Sequence, residues 1–353
     1  MQLLKDRAAV IASVILVLLY GAIALADFIS PYSEQWSERA IANAPPTGIY
    51  MIDANTQQLT WPYVFRYTRA FNPESFSYEF QPDLTQTYPI KFLVHGETYH
   101  FWGLIPSDIH LFGVDAPGKI GLLGFDMNGR DNFSRLLFGG QVSMTIGFLG
   151  LFIAIPIGLL YGGISGYIGG LIDGLMMRFA EIMMSIPQFY LLISLAAILP
   201  ADIPSSIRFS LVVVILAFIG WAGLSRVIRG MVLSIKSQEF IEAERALGLD
   251  SFRIITRHLL PQTASYVIIA VTLGVPGYIL AESGLSFLGL GIQQPDASWG
   301  NMLKEAQDIT NIISRPWMLT PGLLIFLAVL SFNVIGDALR DILDPKSAHR
   351  QAS

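Results

Sequence analysis

The chain contains no cysteine and little charge. The absence of cysteine excludes disulfides and thiolate metal sites. Only 14% of the residues are Asp, Glu, Lys or Arg, against roughly a quarter in soluble domains. Hydrophobic residues make up 53%, and the mean hydropathy is +0.53. That balance defines an integral membrane protein. The net charge of -5 argues against nucleic acid as a partner. Enzyme signatures are missing as well. No Gly-x-x-x-x-Gly-Lys-Ser/Thr run occurs, so there is no phosphate loop. No His-Glu-x-x-His zinc motif occurs. Gly163-Ile164-Ser165-Gly166 resembles the serine motif of intramembrane proteases, but that chemistry needs a His inside another span. His258 lies in a polar loop, His95, His100 and His110 in a long polar segment, and His349 in the tail.

What the chain does have is long apolar runs. A bilayer core needs about 20 mostly apolar residues per helix. Six stretches qualify, roughly 8–29, 142–164, 175–199, 210–232, 264–281 and 318–338. Lys5 and Arg7 precede the first. Arg226, Arg229, Lys236, Arg245, Arg253 and Arg257 cluster between the fourth and fifth, and Arg340, Lys346 and Arg350 follow the sixth. With an even number of spans these regions share one side, and the excess of basic residues makes it the cytoplasm.

Residues 30–141 then face outward, with seven basic and eleven acidic residues. This stretch is too long for a plain loop. Runs at 88–94 and 98–103, separated by a turn at His95-Gly96-Glu97, and further runs at 109–114 and 119–123 alternate like short strands. They predict a small half-buried sheet. No element is assigned to 45–87.

The most specific feature is a polar segment from 238 to 262. Residues 238–247 favour helix, with Glu, Ala, Arg and Leu and no Pro or Gly. Phe240, Ala243 and Leu247 fall at helical spacing, while Glu242, Glu244 and Arg245 are left for other faces. Gly248 suits the position just past a helix end. Leu260-Pro261 follows, with Pro261 thirteen residues after Gly248. The pattern Glu242-Ala243, Gly248, Leu260-Pro261 resembles the cytoplasmic "EAA" loop of permease subunits in bacterial ATP-driven importers. An amphipathic helix lying on lipid headgroups is the plainer alternative, and it does not require that phasing.

The resemblance extends further. Gly124-Phe125-Asp126-Met127-Asn128-Gly129-Arg130-Asp131 and Ser134-Arg135-Leu136-Leu137-Phe138-Gly139 resemble the approach to the second span of peptide and nickel permeases. Glu282-Ser283-Gly284-Leu285-Ser286-Phe287-Leu288-Gly289 and Ser298-Trp299-Gly300-Asn301 resemble the end of their fifth span and its outer loop. Gly336-Asp337-Ala338-Leu339-Arg340-Asp341, ending in Asp344-Pro345, resembles their last exit. Together these motifs are similar to the second-type ("C") permease of the oligopeptide, dipeptide and nickel importer family. Glu244 stands where the family has a second Ala, Gln262 where it has Asn, and the 45–120 region exceeds the usual family loop.

The apolar runs and the resemblance together imply an all-α polytopic membrane protein with six transmembrane helices, to which the strand-like runs add an extracytoplasmic β-rich insertion between helices 1 and 2. Its division would be a cytoplasmic N-terminus with first helix (1–29), the insertion (30–141), a five-helix permease core with coupling loop 233–262 (142–340) and a cytoplasmic tail (341–353). It implies residence in the bacterial inner membrane with both termini in the cytoplasm. The chain would form half of a peptide pathway beside a homologous second permease, two ATP-binding subunits and an extracytoplasmic binding protein. It would bind no cofactor itself, ATP and Mg being held by the ATPase. Coupling would fall to Glu242, Ala243, Glu244, Arg245, Gly248, Leu260 and Pro261. Asp126, Gly129, Arg130 and Asp131 would mark the approach to helix 2, and Glu282, Ser286 and Gly289 the end of helix 5. By plain physics Asp126 and Asp131 can cap the helix, with Arg130 and Arg135 pairing to acids or headgroups, and ligand contact is the other possibility. An ion-coupled secondary transporter would need ionisable groups near the midplane, and none is evident. Nickel is the alternative cargo; the three outer histidines could in principle bind it, although their strand positions and spacing read as structural.

Overall fold

The computed structural model describes residues 6–53, 57–73, 76–200 and 203–343. Lys5, His349 and the tail stretch with Asp344, Pro345, Lys346 and Arg350 lie outside them. Five helices among the described residues are long and apolar enough to cross a membrane, and a bent pair makes up to six. In chain order, α1 (Arg7–Ala24) and α2 (Ala26–Ile29) precede five strands: β1 (Ile49–Ile52), β2 (Leu59–Asn72), β3 (Ser77–Pro89), β4 (Lys91–Phe101) and β5 (Ile105–Gly113). Then come α3 (Asn132–Ile168), α4 (Gly170–Ser185), α5 (Gln188–Ala197), α6 (Ser205–Ile235), α7 (Glu239–Ala246), α8 (Ser251–Ile254) and α9 (Ala264–Phe287). The short α10 (Trp299–Leu303) and α11 (Ile309–Ser314) lead to α12 (Thr320–Leu343).

The described residues belong to two compact units. The first comprises Met1–Val17, Ser143–Ile292 and Leu324–Ser353. Its core is built where small and branched apolar side chains from different helices coincide. Ile146 of α3, Leu192 and Ala196 of α5, Val212, Val213 and Leu216 of α6 and Leu285 of α9 form one cluster. Ala154, Ala180, Ala217, Trp221 and Ala222 form another between α3, α4 and α6. Gly158, Gly162 and Gly166 of α3 lie against the α6 backbone: a Cβ on Gly158 would stand 3.0 Å from the Trp221 carbonyl, and one on Gly166 2.8 Å from that of Arg229. Small residues at this spacing let two helices approach closely in lipid.

The expected third span is broken. α4 and α5 meet at 79°. Pro187 disfavours a helical conformation in the residue before it, and Ile186 is accordingly extended at φ -81, ψ 125. By contrast, Pro156 and Pro276 are carried inside α3 and α9.

The second unit comprises Leu18–Val142 and Gln293–Leu323. Here β1, β2 and β3 form an antiparallel sheet in that order, and β4 pairs with β5. Ile49 faces Val64 and Phe65 faces Thr87. Val64, Tyr88, Ile90, Phe112 and Ile120 share one apolar cluster. Three sequence expectations are corrected. The turn expected at 95–97 is an irregularity within β4, which continues to Phe101. Gly96 serves close approach there, since a Cβ would stand 2.6 Å from the His110 ring. The strand expected at 119–123 is not one: Gly121 instead exchanges hydrogen bonds with Thr47, 2.8 Å to the backbone and 2.9 Å to the hydroxyl. The segment 45–87, left without elements, holds β1, β2 and β3.

Candidate functional site

The coupling segment is a short helix held on one side and open on the other. Ile241 of α7 is fully buried with Ile228 and Val232 of α6 and Ile254, Ile255 and Leu259 beyond it. Arg245 Nε donates to the Tyr167 hydroxyl at 3.2 Å, and its guanidinium lies 4.7 Å from that ring's centre. Lys236 Nζ donates to the Gly166 carbonyl at 2.7 Å, where a cation is favourable at a helix C-terminus. The opposite face is exposed. Phe240 is 40% and Leu247 79% exposed, and Glu242 and Ala243 lie beside them in the open. The apolar spacing Phe240–Ala243–Leu247 therefore marks the outward face, and the inward face rests on Ile241.

The helix ends as its sequence requires. Gly248 has φ +75. Its N–H donates to the Arg245 carbonyl at 3.0 Å, and Leu249 N–H to that of Glu244 at 3.2 Å. These are the two bonds of a left-handed helix stop. Nothing stands within 4 Å of where a Gly248 Cβ would lie, so conformation alone calls for glycine. Asp250 then caps α8, accepting from the N–H groups of Phe252 at 3.0 Å and Arg253 at 3.3 Å. Leu260 packs beside the Ile241 cluster. Pro261 stands in a tight turn that leads into α9; lacking an N–H, it interrupts the regular helical ladder. Glu244 does not share the open face. Its carboxylate lies 2.6 Å from His258 Nδ1, a pair inside the loop.

The approach to α3 is a hydrogen-bonded knot. Asp126 Oδ1 accepts from the N–H groups of Asn128 at 2.8 Å and Arg130 at 2.9 Å, and Oδ2 from Arg130 Nε at 2.7 Å. Arg130 and Arg135 both donate to the Pro295 carbonyl, at 3.3 and 2.9 Å. Asp131 caps α3, its Oδ2 accepting from Ser134 N–H at 2.8 Å and from Ser134 Oγ at 2.6 Å. Complete burial raises the Asp131 carboxyl to about 7, with the Asp126 charge adding to the shift and the Ser134 bonds opposing it. Gly129 has φ +77, and a Cβ there would collide with the Glu38 carbonyl. These side chains serve backbone and helix end.

At the end of α9, Glu282 is fully buried. It accepts from Ser143 Oγ at 2.8 Å and Ser286 Oγ at 2.7 Å. The Ser286 hydroxyl in turn accepts from Ile292 N–H at 2.9 Å. Gly289, at φ +76, reverses the chain there. A buried carboxylate demands such partners, so these contacts tie α9, α3 and the following loop together.

One constellation was missed in the sequence. Asp173 of α4 accepts from Arg229 Nε and Nη2, both at 2.5 Å, and from Ser165 Oγ at 2.5 Å. It joins α3, α4 and α6. Arg229 was counted only as a basic end, and nothing in the local pattern pairs it with a residue 56 positions earlier. The histidines are placed separately. His95 meets Asp108 at 2.9 Å, and His110 stands between the carbonyls of Ser30 at 2.7 Å and Glu97 at 3.0 Å. Among the described residues no three His, Asp or Glu side chains converge as a metal site.

Residues 154–349 match the model of the binding-protein-dependent transport system inner membrane component. Residues 1–46 match the N-terminal transmembrane domain of oligopeptide transport permease C. Over 238 residues the chain is 42% identical to the oligopeptide transport system permease protein OppC of Haemophilus influenzae, covering 67% of this chain and 70% of that one. It is 40% identical over 245 residues to the dipeptide transport system permease protein DppC of Bacillus subtilis, covering 69% and 71%. A chain of the inward-facing MetNI methionine ABC transporter aligns at 20% identity and a TM-score of 0.42, over 57% of this chain and 91% of that one, a likeness too slight to carry an argument. The chain belongs to the family of binding-protein-dependent inner membrane transport components, the permeases of ABC importers.

Proposed function

We propose that this chain forms one half of the translocation path of an ATP-driven peptide importer. It would span the bacterial inner membrane beside a homologous permease, over two ATP-binding subunits, and receive cargo from an extracytoplasmic binding protein. The observation that carries the proposal is the two-sided build of α7. Its inner face is fastened through Ile241 to α6 and through Arg245 to α3, while Phe240, Ala243 and Leu247 lie open. A push on that open face moves membrane helices, because packed interiors transmit displacement. ATP and Mg would act on the partner subunit; this chain supplies docking and path.

Orientation follows from charge. With α4 and α5 counted as one crossing, the chain crosses six times, and Arg7, the basic stretch 226–257 and Arg340 fall on one side. Basic residues favour the cytoplasm, so both termini lie there and the strands of 49–113 lie outside. Peptide cargo is supported by the relatives, whose names give oligopeptide and dipeptide transport. The test is uptake of labelled short peptides into vesicles holding the chain with its partner permease, ATPases and binding protein. Uptake should require ATP and all partners. Uptake driven by a proton or sodium gradient without the ATPase would contradict the reading.

A further inference from the structure

The hairpin joining β4 to β5 carries an unusual turn. Its central residues are Trp102, at φ +50, and Gly103, at φ +72. Leu104 N–H closes the turn on the Phe101 carbonyl at 3.0 Å. Two left-handed residues at the centre of a β-turn normally call for Asn, Asp or Gly. A bulky aromatic at positive φ is an outlier, and such strain points to a side chain retained for a purpose.

The surroundings of that side chain say what the purpose is. Trp102 is 67% exposed, Leu104 80% and Ile105 63%. From 98 to 107 the chain holds no Asp, Glu, Lys or Arg. An apolar, uncharged tip pointing into water is costly by roughly 25 cal/mol for each Å² left uncovered. The indole Nε1 donates to the Ala24 carbonyl at 3.0 Å, and Ala24 is the last residue of α1. α1 has 18 residues, about 27 Å at 1.5 Å per residue, which is close to the hydrocarbon thickness of about 30 Å. Its end therefore marks the membrane surface. Leu18 and Leu25 in the same stretch are themselves 66% and 39% exposed, so the tip and the helix end it touches both present uncovered apolar surface. Tryptophan is enriched at this level, where an apolar ring and a polar N–H meet the headgroups.

We propose that the β4–β5 turn is a membrane foot, with Trp102, Leu104 and Ile105 seated in the headgroup and upper acyl region of the bilayer beside the end of α1. The foot holds the insertion against the lipid, and the partner it fits is the bilayer itself. The inference rests on α1 being a membrane span, and the experiment separates the two.

The chain has no native cysteine, so single spin-label sites can be introduced at Leu104, at Val14 within α1 and at Ser251 in the polar loop. The full chain in phospholipid nanodiscs is then tested for relaxation by oxygen, which partitions into lipid, and by a water-soluble nickel chelate. The label at Leu104→Cys should give an oxygen-to-chelate ratio several-fold above that at Ser251→Cys and below that at Val14→Cys. Trp102→Gly suits the backbone, preserves the hairpin and should lower the Leu104 ratio toward the aqueous value. A Leu104 ratio equal to that of Ser251, with Val14 lipid-exposed, overturns the foot alone. Protection of Leu104 from both reagents overturns it in favour of a protein partner. A water-exposed Val14 overturns the span and the foot together.

Discussion

At Asp131 a single carboxylate carries two opposed demands. It caps α3 through Ser134, yet complete burial raises it to about 7. Burial also raises Glu34 and Glu305 in the same unit. The sign follows from proton linkage: a carboxyl whose folded pKa exceeds its unfolded one favours the folded state at low pH, and that contribution is lost as pH rises through the folded value. Thermal unfolding in nanodiscs should therefore occur at lower temperature at about pH 8 than at about pH 5.5. Asp131→Asn keeps an acceptor for Ser134 and should flatten, without abolishing, that dependence. A profile identical to the parent's would show that Asp131 is not ionising in this range. The capping role was legible in the residue type and spacing. The burial was not, because it comes from distant segments around the knot at Pro295.

Among the elements, α3 and α6 show what a small residue does in a membrane helix. A Cβ on Gly162 would collide with the Ser225 carbonyl of α6, whereas nothing lies within 4 Å of one on Gly223. Gly162→Val should cost about 1–3 kcal/mol by overpacking, read as a lower unfolding temperature in nanodiscs. Gly223→Ala should be neutral or slightly stabilising, as loss of a helical glycine reduces unfolded-state entropy. Equal effects of the two would remove the close approach from the account.

The helices were readable because hydrocarbon thickness imposes long apolar runs. β1, β2 and β3 were not. Their faces mix Thr, Gln and aromatics, Pro62, Pro82 and Pro89 interrupt the alternation, and a register shift falls between Phe65 and Tyr67. Gly96 read as a turn residue because close approach to His110 and chain reversal ask for the same amino acid. At α4 and α5 the apolar run was visible but its 79° bend was not, since a proline inside a run signals a kink without its angle.

For the whole molecule, the proposed motion enters through α7. The family motif points to this helix as the proposed contact, and the structure shows which of its sides is open. Glu244 is turned toward His258, leaving Ala243 and Leu247 outward. The open face is what an ATPase would grip, and the fastened face is what would carry the displacement to α3 and α6. Gly248 controls how the chain leaves that helix, and a Cβ there opposes the left-handed backbone by about 1–2 kcal/mol. The most direct measurement is site-specific crosslinking in the assembled importer, with no competing thiol on this chain because it has no cysteine. Ala243→Cys should crosslink to an ATP-binding subunit, with a yield that changes between nucleotide-free and ATP-bound states, while Leu104→Cys should give no such product. In the same assembly Gly248→Val should lower cargo-stimulated ATP hydrolysis several-fold and leave cargo binding to the external protein intact. Absence of any crosslink from position 243 in an assembly that still hydrolyses ATP on cargo addition would contradict the claim that α7 couples the permease to its motor.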